Sequence, residues 1–159
     1  MERIIIRKAD LNDLNDILSI YNQGIEDRIA TLEVESKSIE YMNEWFNHHE
    51  QRYTVLVAVF VGTVIGWASL NRYSPRAAYD GVADLSIYIE RTYRGRGIGQ
   101  RLLQELEVEA INKGFHTIVL FTFPFSKSIP NFHLGTFIRF ALAEVSIAFR
   151  KSEFVKYLF

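Results

Sequence analysis

The sequence predicts an α+β domain with a mixed, mostly antiparallel central sheet flanked by helices. Three observations support this prediction. Strand-like segments alternate with segments whose apolar residues recur at helical spacing, two apolar runs meet at a short glycine turn, and one strand leads directly into a long helix. The 159 residues contain no internal repeat and little proline, so we expect a single domain over residues 1–159.

The first part of the chain is predicted to hold one strand and two helices. Residues 3–7 (RIIIR) indicate the strand, and Asp10 is placed to cap the helix that follows. The apolar face of this helix comprises Leu14, Ile17, Leu18 and Tyr21. A second helix is expected to start at Ser38 and to bury Ile39, Met42, Trp45 and Phe46.

The next segment, residues 53–70, contains no charged residue over 18 positions, which is close to the lower length limit for a membrane span. Its β-branched residues favour strands instead, and Gly62 and Thr63 lie between two apolar runs, as a turn does. We therefore predict a buried β-hairpin with its turn at these two residues.

The middle of the chain is predicted to form a strand, a glycine turn, a long helix and another strand. Alternation along Val82–Glu90 places Val82, Asp84, Ser86 and Tyr88 on one face of the first strand. The long helix has Ile98, Leu102, Leu103, Leu106 and Ala110 on its apolar face and ends near Lys113 and Gly114. Residues 116–123 indicate the last of these strands.

Three glycines, Gly95, Gly97 and Gly99, alternate with other residues where this strand turns into the helix. Glycine lets the backbone approach a ligand closely, and the free N–H groups of a first helical turn favour an anion. Arg94 and Arg96 strengthen this indication, although the glycines could also serve only a tight turn. The G-x-G-x-G spacing fits neither the dinucleotide-binding fingerprint nor the nucleoside triphosphate loop.

The pattern Arg94-x-x-Gly97-x-Gly99 resembles the pyrophosphate-binding motif of the GNAT superfamily of N-acetyltransferases. Ile20–Glu33, Asn71–Gly99 and Gly114–Phe125 are similar to its phosphinothricin acetyltransferase branch. The resemblance implies a GNAT-like fold and acetyl-CoA as co-substrate. The cofactor-binding residues that it implies are Ile87, Tyr88, Ile89, Arg94, Gly95, Arg96, Gly97, Ile98, Gly99 and Ser126.

Acetyl transfer to an amine requires a group that removes a proton, because an ammonium nitrogen has no lone pair. Asp84 lies on the strand that leads to the glycine turn and is our candidate general base. The acetyltransferases that the sequence resembles carry glutamate at this position, and the shorter aspartate favours action through a water molecule. The alternative is that Asp84 caps a bulge or pairs with an arginine.

The resemblance also implies an acceptor site. Arg76 and Tyr79 match an arginine and a tyrosine of phosphinothricin acetyltransferases, and a guanidinium suits a carboxylate or phosphinate. The implied reaction is acetylation of the primary amine of a small amino-acid-like acceptor, such as phosphinothricin or methionine sulfoximine, by direct attack in a ternary complex. The alternative for Arg76 is a solvated loop arginine. The alternatives for the function are a catalytically weakened acyl-CoA-binding or dimerising module and a protein N-terminal acetyltransferase.

The resemblance ends after Phe125. Ser126 stands where the family has asparagine, Pro130 interrupts the expected helix, and His133 lies near an expected tyrosine. We therefore expect residues 126–159 to form a divergent, atypical C-terminal segment that affects activity.

The composition excludes several function classes. A formal net charge of −1 gives no basic surface for nucleic acid or an anionic membrane, and the absence of cysteine excludes disulfides and a thiol nucleophile. His48, His49 and Glu44 lack further ligands, so no metal is expected. A cytoplasmic location is the default for this composition, and the resemblance implies a homodimer.

Overall fold

The computed structural model of the chain describes residues 3–28, 31, 33–49, 52–122 and 136–141. Its sheet has six strands in the order β1-β2-β3-β4-β5-β6. They are β1 (Ile5–Lys8), β2 (Val55–Phe60), β3 (Thr63–Arg72), β4 (Val82–Ile89), β5 (Thr117–Thr122) and β6 (Thr136–Ala141). β4 and β5 pair in parallel, and the other neighbouring pairs are antiparallel, so the predicted mixed, mostly antiparallel α+β fold is confirmed.

The helices cover both faces of this sheet. They are α1 (Leu14–Asp27), α2 (Ile39–Asn47) and α3 (Ile98–Asn112). α3 packs on one face against buried β-strand residues that include Ala68, Leu85, Ile87 and Ile89. α1 and α2 pack on the opposite face, around Trp67 and Met42. The two cores are therefore separated by the sheet, and residues of β4 alternate between them.

Both predicted helix starts are confirmed. Asp10 caps a 3₁₀ turn, Leu11–Asp13, that runs into α1, and its carboxylate accepts from the backbone N–H of Asn12 at 2.8 Å. Ser38 caps α2, with its Oγ accepting from the N–H of Tyr41 at 3.3 Å. The capping side chains satisfy N–H groups that have no partner inside the helix.

The predicted hairpin forms, but its turn lies one residue earlier than expected. Val61 and Gly62 occupy the two central positions with φ angles of 49° and 79°, while Thr63 already pairs with Phe60. Positive φ at both central positions is typical of a type I′ hairpin turn, in which glycine is favoured at the second position. No helix in the described ranges is long and apolar enough to cross a membrane.

The strand, turn, helix and strand predicted for the middle of the chain are confirmed with small shifts at their ends. β4 stops at Ile89, and Gly114, with a φ of 77°, follows α3 as the predicted stop signal. Phe123, Ser126, Pro130 and His133 lie outside the described residues, so the expectations for them stay expectations.

Candidate functional site

The glycine turn before α3 leaves open space beside an uncapped helix end. Gly95 and Gly97 both have a φ of 75°, and a Cβ added to either would meet no atom within 4 Å. Gly97 is the N-cap of α3 and makes no side-chain cap, so the first N–H groups of the helix point outward. Ile98 and Gly99 are buried beneath the turn. This arrangement fits a bound anion such as a pyrophosphate.

The two arginines of the turn have different environments. Arg94 is half-buried, and its Nη1 donates to Oδ2 of Asp27 at 2.7 Å while its Nε donates to the Ile89 carbonyl at 3.1 Å. Arg96 is exposed and lies over the Tyr93 ring at 5.1 Å from its centroid. Arg94 therefore braces the turn from below, and Arg96 supplies an accessible positive charge beside it.

Among the described residues, the pairing of β4 with β5 ends before the glycine turn, and this unpaired stretch beside β4 forms a gap. Their parallel pairing covers Val82–Leu85 against Thr117–Leu120, although β4 continues to Ile89. The N–H of Glu90 donates to the Ile65 carbonyl of β3 at 2.9 Å. Because N–H groups alternate in direction along a strand, those of Ile87 and Ile89 point to the gap.

These two residues offer the gap only their backbone, because their side chains are buried in the core beneath α3. Tyr88, the third residue predicted for this part of the cofactor site, has its N–H directed at β3 by the same alternation. Its side chain lies on the opposite face, stacked on Trp67 at 4.8 Å between ring centroids. Burial, followed by the neighbouring Tyr21, raises the pKa of the Tyr88 hydroxyl well above its ordinary value.

Asp84, the predicted general base, lies on the α1 and α2 side of β4. Burial raises the pKa of its carboxyl from 3.8 to about 6, and hydrogen bonds from the Leu85 backbone and the Asn71 side chain oppose that rise. Among the described residues, no group donates a hydrogen bond to its buried Oδ1. Among the described residues, Asp84 pairs with no arginine, and it caps no bulge because the β3–β4 register is continuous.

Sequence reasoning missed the polar side chains beside Asp84. Asn71 lies opposite Asp84 in the register of β3 and β4, and it contacts Ser69, Ser86 and His49 at 2.9 Å each. One signal was available. Ser69 and Asn71 are polar residues two positions apart in an otherwise apolar strand, so they share a face.

Arg76 and Tyr79, the predicted acceptor residues, lie together in the loop that joins β3 to β4. Arg76 is exposed and precedes a 3₁₀ turn, Ala77–Tyr79. Tyr79 is 40% exposed and packs edge-on against Tyr73 at 5.4 Å between centroids. The loop adjoins the end of β4 that carries Asp84, so both residues lie at the same end of the hairpin as the candidate base.

The two histidines considered as metal ligands bond to backbone carbonyls instead. Nδ1 of His48 lies 2.7 Å from the Glu44 carbonyl, and Nδ1 of His49 lies 2.8 Å from the Trp45 carbonyl. Within the part of the chain that the structure describes, no group of three His, Cys, Asp or Glu residues could hold a metal ion.

Comparison with known proteins agrees with this geometry. The model of the acetyltransferase (GNAT) family matches residues 14–135. The Bacillus subtilis protein named "Putative phosphinothricin acetyltransferase YwnH" is 36% identical over 123 residues, which cover 77% of this chain and 76% of that protein. An L-methionine sulfoximine/L-methionine sulfone acetyltransferase of Pseudomonas aeruginosa is 34% identical over 116 residues, 72% of this chain and 67% of that one.

A solved structure gives the same result. The crystal structure of a GNAT superfamily phosphinothricin acetyltransferase from Sinorhizobium meliloti, in complex with acetyl-CoA, has a TM-score of 0.72 at 31% identity and covers 75% of this chain and 65% of that chain. The matches in sequence and in structure show that the chain belongs to the acetyltransferase (GNAT) family, as an acetyl-CoA-dependent N-acetyltransferase.

Proposed function

We propose that the protein transfers the acetyl group of acetyl-CoA to the primary amine of a small amino-acid-like acceptor, of the phosphinothricin or methionine sulfoximine type, by direct attack in a ternary complex. The observation that carries this proposal is the half-buried Asp84 carboxyl, whose pKa is raised to about 6 and whose buried Oδ1 accepts no hydrogen bond from the described residues. The acceptor class follows that of the Bacillus subtilis and Pseudomonas aeruginosa relatives, which are 36% and 34% identical to this chain.

The residues of the glycine turn and of the gap fit acetyl-CoA, which supplies an activated acetyl thioester when bound. The outward N–H groups after Gly97, with Gly95, Ile98, Gly99 and the charge of Arg96 nearby, suit the pyrophosphate. Arg94 holds this turn in place through Asp27.

The backbone of β4 completes the proposed cofactor site. The N–H groups of Ile87 and Ile89 suit the amides of the pantetheine arm, which would take the place of a β5 strand in the gap. The Tyr88 side chain packs behind them. Ser126, the remaining predicted cofactor residue, lies outside the described residues and stays part of the proposal.

Asp84 acts in this proposal as the general base. A carboxyl whose pKa lies near 6 is ionised at neutral pH, yet it accepts a proton more readily than an ordinary aspartate. Its side chain is one methylene shorter than the glutamate of the family it resembles. Proton transfer from the amine through one water molecule to Oδ1 accommodates that difference.

Arg76 and Tyr79 bind the acceptor in this proposal. The Arg76 guanidinium is exposed at the end of the hairpin that carries Asp84, and it can donate two parallel hydrogen bonds to a carboxylate or phosphinate. An acceptor anchored there through its anionic group would present its amine towards β4.

The test is release of coenzyme A thiol from acetyl-CoA with three acceptors: phosphinothricin, methionine sulfoximine and a peptide with a free N-terminal alanine. We expect turnover with at least one of the two small acceptors, none with the peptide, and a loss of about 100-fold or more in Asp84→Asn. Turnover with the peptide alone would replace the acceptor class. Calorimetric binding of acetyl-CoA without turnover of any amine would favour an acyl-CoA-binding module instead.

The proposal also includes a homodimer, which the resemblance to the family implies, and one domain over residues 1–159 acting in the cytoplasm, which length and composition suggest. Light scattering of the purified full chain gives its mass in solution directly. A mass equal to the 18.5 kDa of one chain at micromolar concentration would remove the dimer from the proposal.

A further inference from the structure

Asn71 links the Asp84 side of β4 to His49, which lies two residues beyond the end of α2. Its Nδ2 donates to the Ser86 hydroxyl at 2.9 Å, and its Oδ1 accepts from the Ser69 hydroxyl at 2.9 Å. The same Oδ1 lies 2.9 Å from Nε2 of His49. The nitrogen end of the amide therefore faces β4, which carries Asp84, and the oxygen end faces His49.

The nitrogen end of this amide supports the Asp84 carboxylate. Asn71 is the cross-strand neighbour of Asp84, and its side chain lowers the pKa of that carboxyl against the larger effect of burial. Nδ2 is the donor atom of an asparagine side chain, whereas Oδ1 can only accept. Asp84 consequently has this support when Nδ2 is turned towards β4, as in the structure.

The oxygen end of the amide determines which ring nitrogens of His49 must carry a proton. Its Nδ1 lies 2.8 Å from the Trp45 carbonyl, so Nδ1 carries a proton. Nε2 faces an oxygen as well, and this contact is a hydrogen bond only when Nε2 is also protonated. A neutral His49 with its proton on Nδ1 would instead require the Asn71 amide to turn over and to donate from Nδ2.

These two requirements couple His49 to Asp84. Turning the amide over would point Oδ1 at Asp84 and Ser86, so the carboxylate would lose a donor and face an acceptor in its place. We propose that His49 and Asn71 are positioning residues for Asp84, with the charge of His49 selecting the amide orientation and thereby the hydrogen bonding of the base. This inference rests on the role of Asp84 in the proposed function.

His49 can exchange its proton with solvent. It lines an open cleft of about 380 Å³, together with Lys8 of β1, Tyr53 before β2 and Lys113 after α3. Glu109 of α3 reaches the same region, where it bonds Lys8 at 3.1 Å and the Thr54 hydroxyl at 3.0 Å.

Other titratable groups of the described residues lie on or directly after α2 and on the far side of Asn71. Glu44 belongs to α2, and His48 and His49 directly follow its last residue, Asn47. Tyr88 and Tyr21 pack together near Asp84, with ring centroids 5.1 Å apart. The Asn71 amide therefore lies between His49, which lines the cleft, and Asp84, and it provides the polar connection between these two residues.

His48 provides a matched control for His49. Both rings bond through Nδ1 to the carbonyl four residues earlier on α2, but His48 is exposed, and it is His49 whose Nε2 reaches Asn71. The experiment follows the ¹⁵N shifts of both imidazoles against pH in the wild type, in Asp84→Asn and in Asn71→Ala with and without Asp84→Asn.

We expect Asp84→Asn to move the His49 titration midpoint down by about 0.5 pH unit or more, since a cationic His49 is favoured by the ionised Asp84. The His48 midpoint should not move, and the shift at His49 should vanish in the Asn71→Ala background. An identical His49 midpoint in wild type and Asp84→Asn overturns the inference. A shift that persists without Asn71 also overturns it, because the coupling would then act through space.

Activity provides a second readout. We expect His49→Gln to move the acidic limb of the pH profile of kcat/KM upward by about 0.5 pH unit, or threefold in rate on that limb, while His48→Gln leaves it in place. An unmoved limb in His49→Gln overturns the inference. If the wild type acetylates none of the acceptors, the proposed function fails, and the imidazole titrations still decide the coupling.

Discussion

The carboxylate of Asp27 joins the end of α1 to the glycine turn, because its Oδ2 accepts a hydrogen bond from Nη1 of Arg94 at 2.7 Å. Its Oδ1 accepts from Nη2 of Arg91 at 2.8 Å. Both arginines belong to the segment between β4 and α3. One side chain from a distant helix therefore fixes the backbone that is proposed to hold the pyrophosphate.

Asp27→Asn is expected to weaken acetyl-CoA binding by about fivefold to tenfold, because the turn loses its brace, and to lower the free energy of unfolding by about 1 kcal/mol. Calorimetry and urea unfolding measure the two effects. Glu26→Gln is the control, since Glu26 forms only an exposed contact with Arg91 at 3.3 Å. Equal losses of affinity in both variants would contradict the special role of Asp27.

The contribution of Asp27 to stability also depends on pH. The hydrogen bond from Arg91, followed by that from Arg94, holds the pKa of this carboxyl below its ordinary 3.8 in the folded protein. A lowered folded pKa stabilises the protein above pH 3.8, and this contribution is lost as the pH falls through the folded pKa. The difference in unfolding free energy between wild type and Asp27→Asn should therefore shrink as the pH is lowered from about 5 to 3.

Gly97→Ala is expected to lower the affinity for acetyl-CoA at least tenfold, because the added methyl group would enter the space beside the helix end. Gly62→Ala is a closely matched control. Gly62 has a φ of 79°, also has nothing within 4 Å of an added Cβ, and lies in the turn of the β2–β3 hairpin rather than at a helix end. Each variant should lose about 1 kcal/mol of stability from backbone strain. Unchanged acetyl-CoA binding in Gly97→Ala would refute the proposed pyrophosphate site.

Asp84→Asn is expected to abolish most turnover and yet to stabilise the protein at pH 7.5 by roughly 2 kcal/mol. The folded pKa of about 6 lies above the ordinary 3.8, so keeping this carboxyl ionised in the fold is unfavourable. The contribution of the protonated carboxyl to stability is complete below pH 3.8 and is lost as the pH rises through 6. Urea unfolding should thus show a gain for Asp84→Asn at pH 7.5 that is absent near pH 4.

Asp84→Glu separates chemistry from stability in the same experiment. It restores the carboxylate of the family that the sequence resembles, so we expect activity of at least the same order as the wild type. A gain of stability without loss of turnover in Asp84→Asn would mean that another residue removes the proton.

Arg76→Ala is expected to raise KM for the amine acceptor about tenfold or more while KM for acetyl-CoA stays unchanged, because a bidentate charged contact is lost. Arg101→Ala is the control, since Arg101 is an exposed arginine of α3 that donates to the Ile4 carbonyl at 3.0 Å, outside the β3–β4 loop. A rise in the KM for acetyl-CoA alone would move Arg76 out of the acceptor site.

The predictions from sequence succeeded where one local pattern decides the structure. Asp10 and Ser38 are capping residues by their chemistry, and the alternation along β4 correctly separated Asp84 from Leu85. Gly62 indicated the hairpin but not the exact position of its turn. The first turn residue, Val61, adopts a positive φ that valine does not favour, so the sequence contained no signal for it. Local rules therefore predicted elements and faces better than single turn positions.

The missed parts of the site depend on contacts between distant residues. Asp27 and Arg94 are 67 positions apart, and His49 reaches Asn71 across 22 positions. Neither distance has a periodic signature in a single sequence. These contacts, which hold the glycine turn and the surroundings of Asp84 in place, form only when α1, α2 and the sheet pack together.

Among the described residues, the early end of β4–β5 pairing leaves a row of strand amides, those of Ile87 and Ile89, without a β5 partner in the middle of the sheet, a feature more usual at an outer edge. In the same part of the chain, four residue pairs form the ladder that joins β4 to β5. A ligand that supplies amides along this row would act as a missing strand and lock the two halves together. Amide hydrogen exchange at Ile87 and Ile89 should accordingly slow more than at any other β4 position when such a ligand binds, so the substrate of this enzyme would also complete its fold.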